Sequence, residues 1–102
     1  MIHVIATIQL TAGCREKFLR RFNELVPLVR AEAGCIEYGP TIDISAGLPN
    51  QPPSRDDVVV VVEKWESLDH LQAHLVAPHM IQYRLEVKAL VQGVDLRVLE
   101  PA

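Results

Sequence analysis

The stretch VVVVVEKWESLDHLQAHLVAPH, Val58 to His79, decides the fold. Five consecutive valines carry branched Cβ atoms that favour an extended backbone, and a run of that length bounded by charge reads as a strand, Val58 to Trp65. Strand alternation puts Val59, Val61, Glu63 and Trp65 on one face and Val58, Val60, Val62 and Lys64 on the other. Both faces are apolar over the first five residues, so the strand is expected to be covered on both sides. Ser67 then stands at a helix N-cap position, with Asp69 in the first turn against the positive end of the helix dipole. Leu68, Leu71 and Leu75 recur at three and four residues, which predicts a helix from Leu68 to about Ala77 with His74 on the edge of its apolar stripe, leaning towards the sheet. Pro78 has no N–H and restricts the residue before it, so the helix stops or kinks there and His79 opens a new segment. Trp65, His74 and His79 can then converge.

Outward from this stretch, Ile2, Val4, Ala6, Ile8 and Leu10 alternate in phase as a first strand, with His3 on its other face as a partly exposed strand residue. From Cys14 to about Ala33, Phe18, Phe22, Leu25, Val26 and Val29 make one helical face, with a kink expected at Pro27 and Gly34 closing the helix. Cys35 to about Ile44 alternates again, interrupted at Gly39 and Pro40, which predicts a second strand bent or bulged there and lying at an edge. Ser45 to Asp57 is rich in Gly, Pro and polar residues and reads as a long loop. Met80 to about Val91 has helical spacing with Met80, Tyr83, Val87 and Leu90 near one face and Gly93 as its stop. Val94, Leu96 and Val98 alternate as a last strand. The order β-α-β-β-α-β is that of a ferredoxin-like α+β sandwich, one antiparallel sheet with helices on one face. Its other face carries valines, and a chain this short covers them most simply with a second copy, so a homodimer is expected.

A length of 102 residues, with 49% hydrophobic and 23% charged residues, predicts a single domain spanning 1–102. A net charge of −3 without a Lys/Arg cluster argues against a nucleic-acid or anionic-membrane surface. The N-terminal MIHVIATIQL lacks a basic n-region, and no apolar run is long enough for a membrane span, so a cytoplasmic location is expected. Cys14 and Cys35 have no CxxC spacing and are expected to be free, unreactive thiols.

The segments RAEAGCIEY (Arg30 to Tyr38) and VEKWESLDHLQAHLVAPH (Val62 to His79) resemble the antibiotic-biosynthesis monooxygenase family of dimeric α/β barrels. The compound pattern E-x-G-C-x-x-Y, E-x-W-x-S and H-x-x-x-x-H carries the resemblance, which runs from Val4 to Pro101. Within the family it points to the bacterial quinol monooxygenases acting on menadiol, whose long loop after strand two is matched by Ser45 to Asp57. The resemblance implies chemistry with dioxygen and a quinol or similar aromatic, using no flavin, haem or metal cofactor: the deprotonated substrate itself passes an electron to dioxygen. Some members of antibiotic pathways carry an amide donor on the strand before the tryptophan, where this chain has valine.

The candidate catalytic residue is His74, an imidazole that can take a proton from a phenol and return it. Trp65 offers a flat wall and an indole N–H to a bicyclic ring, and His79 and Tyr83 are candidate substrate-binding residues that can bond quinol oxygens. His70 and His74 have the four-residue spacing of a helical metal pair but lack the accompanying glutamate, and His70 is expected to face solvent. Because one fold hosts many chemistries, an isomerase, a haem-degrading enzyme or a non-catalytic ligand-binding dimer remain competing readings.

Overall fold

A computed structural model describes all 102 residues. Strand β1 (Ile2–Leu10) leads into helix α1 (Arg15–Arg30), followed by strands β2 (Cys35–Thr41) and β3 (Val58–Trp65), helices α2 (Leu68–Leu75) and α3 (Pro78–Val87), and strand β4 (Val91–Leu99). The four strands form one antiparallel sheet in the order β2-β3-β1-β4, with the helices on one face: a ferredoxin-like α+β sandwich. The valine-rich β3 and the alternating β1 occupy its centre. Their registers pair Val4 with Glu63, Ala6 with Val61 and Ile8 with Val59, and all six side chains are buried on the helix side. Phe18, Phe22, Leu25, Val26 and Val29 of α1 close over them, removing most of this apolar surface from water.

Local chemistry sets most of the boundaries. Ser67 has extended backbone angles and its hydroxyl accepts from the His70 N–H, the expected N-cap. Pro78 opens α3 at its first position, where the missing N–H costs nothing, so the segment after Leu75 is two helices rather than one kinked helix. Pro27, by contrast, is carried inside α1, which continues to Arg30.

Several expectations are corrected. Helix α1 stops three residues before Ala33, and Gly34 (φ +80°) serves the turn into β2, where a side chain at position 34 would collide with the His70 ring at 2.3 Å. His70 therefore lies partly buried against that glycine, its Nδ1 2.7 Å from the Ser67 hydroxyl, and does not face solvent. Strand β2 is at the edge, as Pro40 requires, but it ends at Thr41 and its bulge falls at Ile36, between Cys35 and Glu37. Helix α2 ends at Leu75, and Leu68 is exposed at its start. Gly93 does not stop a helix. It lies within β4 opposite Gln9, next to a register shift, where an added Cβ would come 3.1 Å from the Gln9 amide oxygen.

Strand β4 pairs only with β1, and its helix-side residues Val94, Leu96 and Val98 are 59%, 44% and 45% exposed. The helical layer stops short of this strand. On the central strand beneath, Ala6 is the smallest residue of its row, lying between Val61 and Leu96. A small residue under an incomplete helical layer leaves space, and a cavity lies there.

Candidate active site

The cavity has a volume of about 370 Å³ and lies between the helix face of the sheet and α2–α3, opening towards β4. That volume is in the range of small-molecule sites. Ala6, Val61, Phe22, Met80, Val87 and Leu96 give it largely apolar walls, and its polar lining comes from Tyr38, Glu63, His74, Tyr83, Arg84 and Lys88.

His74 is 1% exposed, one of only two buried polar or charged residues in the chain. Its Nδ1 lies 2.9 Å from Oε2 of Glu32, in the turn after α1, and Oε2 also lies 2.6 Å from Nε2 of His79. A carboxylate only accepts, so each facing nitrogen carries the proton, and His74 is left with an unprotonated Nε2. No buried side-chain nitrogen or oxygen lacks a partner and Nε2 has none in the protein, so it is open to the cavity that His74 lines. Burial pushes the His74 pKa below the ordinary histidine value, partly offset by the Glu32 carboxylate, and the imidazole is a neutral base at pH 7. The break at Pro78 makes this possible. On an unbroken helix, residues five apart would point about 140° away from each other, whereas two helices bring both histidines onto one carboxylate.

Glu63 is the other buried polar residue. Tyr38 sits opposite it on β2 and Val4 on β1. Its Oε1 accepts from the Trp65 indole N–H at 2.9 Å, and its second oxygen has no partner in the protein and faces the cavity. Burial raises its pKa to about 7, against the lowering effect of the indole hydrogen bond, with Glu32 adding a further upward push. Tyr38 and Tyr83 carry hydroxyls that no protein group engages and that are not sealed from the cavity. Burial raises both phenols far above the ordinary tyrosine value, so they are neutral hydrogen-bond donors.

Of the residues singled out from sequence, His74 and Tyr83 line the cavity. Trp65 does not: it is 0% exposed and forms the layer behind, its ring 4.6 Å from that of His74. His79 also lies outside the lining and reaches the site through Glu32. Sequence reasoning gave no role to Glu32, Glu63 or Tyr38. No cluster of three or more His, Cys, Asp or Glu side chains has the arrangement of a metal site, and the Cys14 and Cys35 thiols are free.

Residues 1–84 match the family model described as antibiotic biosynthesis monooxygenase. The chain belongs to the antibiotic biosynthesis monooxygenase family. It is 41% identical over 103 aligned positions to the probable quinol monooxygenase YgiN of Escherichia coli K12, covering 99% of this chain and 98% of that one. Among solved structures, a Pseudomonas aeruginosa protein superposes with a TM-score of 0.80 at 27% identity, covering 99% of this chain and 93% of that one. A Bacteroides thetaiotaomicron protein described as a possible oxidoreductase gives a TM-score of 0.77 at 26% identity, covering 98% and 96%. Membership of this family agrees with the resemblance carried by Arg30 to Tyr38 and Val62 to His79, and Glu32, Glu63 and His74 all lie within the matched residues. No helix is long and apolar enough to cross a membrane.

Proposed function

We propose that the chain is a quinol monooxygenase that needs no cofactor of its own: the cavity binds a hydroxylated bicyclic aromatic, His74 removes a phenolic proton, and the resulting electron-rich anion reacts with dioxygen. The balanced reaction is quinol plus O₂ to hydroxyquinone plus water. One oxygen atom enters the ring, and the other leaves with two of the three hydrogens removed from the substrate. The observation that carries this reading is the His74 imidazole, held by Glu32 at Nδ1 and open to the cavity at Nε2. A phenol with an ordinary pKa near 10 is ionised to about one part in a thousand at pH 7, so ionisation is a step that a positioned base can assist. Tyr38 and Tyr83 supply neutral donors to the oxygen that becomes negative. The quinol named for the relative from Escherichia coli supports the substrate class.

Oxygen uptake with chemically reduced menadione tests the proposal. A rate well above that of buffer, with hydroxylated product by mass spectrometry and no Soret band on adding haemin, is the expected result. Uptake at the buffer rate would overturn it. We further read the protein as a homodimer packed through the bare sheet face, where Ile5, Val60 and Val62 are only partly buried. Light scattering is expected to give twice 11.4 kDa, and a monomer would refute the dimer.

A further inference from the structure

Removing one phenolic proton does not complete the reaction. A quinol has two O–H groups, and both hydrogens must leave their oxygens before the ring becomes a quinone. His74 accounts for one. The site holds a second buried base that the first step leaves unused.

We infer that Glu63 is a further catalytic residue, accepting the second phenolic proton on the carboxylate oxygen that faces the cavity; the assignment rests on the quinol reading above. Geometry carries it. The carboxyl group is buried, lines the same cavity as His74, and is fixed by the Trp65 indole N–H at Oε1, which leaves the other oxygen free. Trp65 packs against His74 at 4.6 Å, so one side chain braces both bases. In the step, the second phenolic O–H bond breaks and an O–H bond forms on Glu63. The electron pair stays on the substrate oxygen and becomes part of the new carbonyl, while the electrons of the ring go to dioxygen. Dioxygen bonds to the ring carbon and its O–O bond then breaks. The leaving oxygen takes one proton from Glu63 and one from His74 and departs as water. The hydrogen displaced from the ring carbon ends on the new hydroxyl, and both bases are returned.

A carboxyl group with a pKa raised to about 7 can both accept and release a proton near neutrality, which a carboxylate near its ordinary value of 4.5 does poorly. The groups facing it are Cys35 and Tyr38 on β2, Glu32 from the turn before that strand, His74 on α2, and Tyr83, Arg84 and Lys88 across the cavity. The residues beside it on β1 are apolar.

The test is Glu63→Gln, which keeps an oxygen acceptor for the indole and loses the base. Quinone affinity is expected to stay within about threefold while kcat falls about a hundredfold or more. The wild-type kcat is expected to rise with pH through a limb near 7, and the variant to lack that limb. Wild-type kcat in the variant, or an unchanged limb, would overturn the role of Glu63 and leave the quinol reading standing. Failure of the unsubstituted protein to consume oxygen would overturn the quinol reading, and the proton-transfer role with it. Should the glutamine variant fold poorly, Glu63→Asp is expected to keep the limb at reduced kcat, and its loss there would equally refute the assignment.

Discussion

His74 Nδ1 and Glu32 Oε2 meet at 2.9 Å across 42 residues of sequence, and this one contact fixes which nitrogen of the imidazole can act as a base. Glu32 also raises the His74 pKa against the stronger lowering effect of burial. Glu32→Gln should therefore lower kcat about tenfold and move the acid limb belonging to His74 to lower pH, since removing the anion leaves burial less opposed. A pH–rate profile checks both. A limb displaced upwards would contradict the assigned cause.

His74→Ala should lower oxygen uptake at pH 7 by about a hundredfold or more, with quinone affinity largely retained. The deficit should shrink as pH rises, because hydroxide ionises the substrate unaided. A deficit that stays constant up to pH 10 would remove His74 from the proton transfer.

Trp65→Ala is expected to act on the fold first. The indole is fully buried, packs against the His74 ring and donates to Glu63. Truncating a buried tryptophan costs about 3–5 kcal/mol, and here it also leaves a buried carboxyl group without its donor. Denaturant unfolding measures the loss. A variant of native stability with weakened quinone binding would instead make Trp65 a wall of the cavity.

Glu63 makes stability depend on pH. Its folded pKa of about 7 lies above the ordinary 4.5, so its favourable contribution is present in full below 4.5 and is lost as pH rises through 7. At about 1.4 kcal/mol per pKa unit the swing is at most about 3.5 kcal/mol. His74, with a lowered pKa, has the opposite slope, losing its contribution as pH falls. Melting curves of wild type and Glu63→Gln across this range should converge at low pH and separate above neutrality in favour of glutamine. Parallel curves would count against the burial of an ionisable Glu63.

Gly34→Ala should be costly for its size. Position 34 has φ +80°, and the new methyl group would sit 2.3 Å from the His70 ring. Left-handed backbone alone costs about 1–2 kcal/mol for a residue other than glycine, and displacing the ring adds to it. A fall in Tm of roughly 10 °C is expected by calorimetry. Adding His70→Ala should recover the steric part and leave the backbone part.

The strands and helices and their order along the chain were legible in sequence because strand and helix periods are local properties. Val58 to Trp65, the Ser67 cap and the Pro78 break follow from side-chain branching, one hydroxyl and one missing N–H. Gly93 was misread because a glycine stops a helix and eases a strand equally well, and only its cross-strand neighbour Gln9 separates the two. The site was legible by half. His74 pointed inward by helical phase, and Tyr83 by its spacing from Met80 and Val87. Glu32 and Glu63 both stood inside the motifs that carried the resemblance, yet an acid in a turn or strand reads as solvated until its neighbours are known. Strand parity did offer a signal, placing Glu63 on the same face as Val59, Val61 and Trp65. Its burial against Tyr38 and Val4 depends on register between strands, which no local window contains.

Helix α2 is short and buries only two side chains, Leu71 and His74. The proposed base, with its grip on Glu32, is therefore a large part of its hold on the protein, beside Leu71 and the partly buried His70 and Leu75. An element held by so few contacts opens by itself long before the whole chain unfolds, and its backbone amides exchange with solvent at a rate set by that local opening. A ligand bound against His74 favours the closed form and slows this exchange in proportion to its occupancy. The amides of residues 68–75 thus make a reporter of binding that needs no turnover, able to rank quinones, quinols and unrelated aromatics by affinity alone.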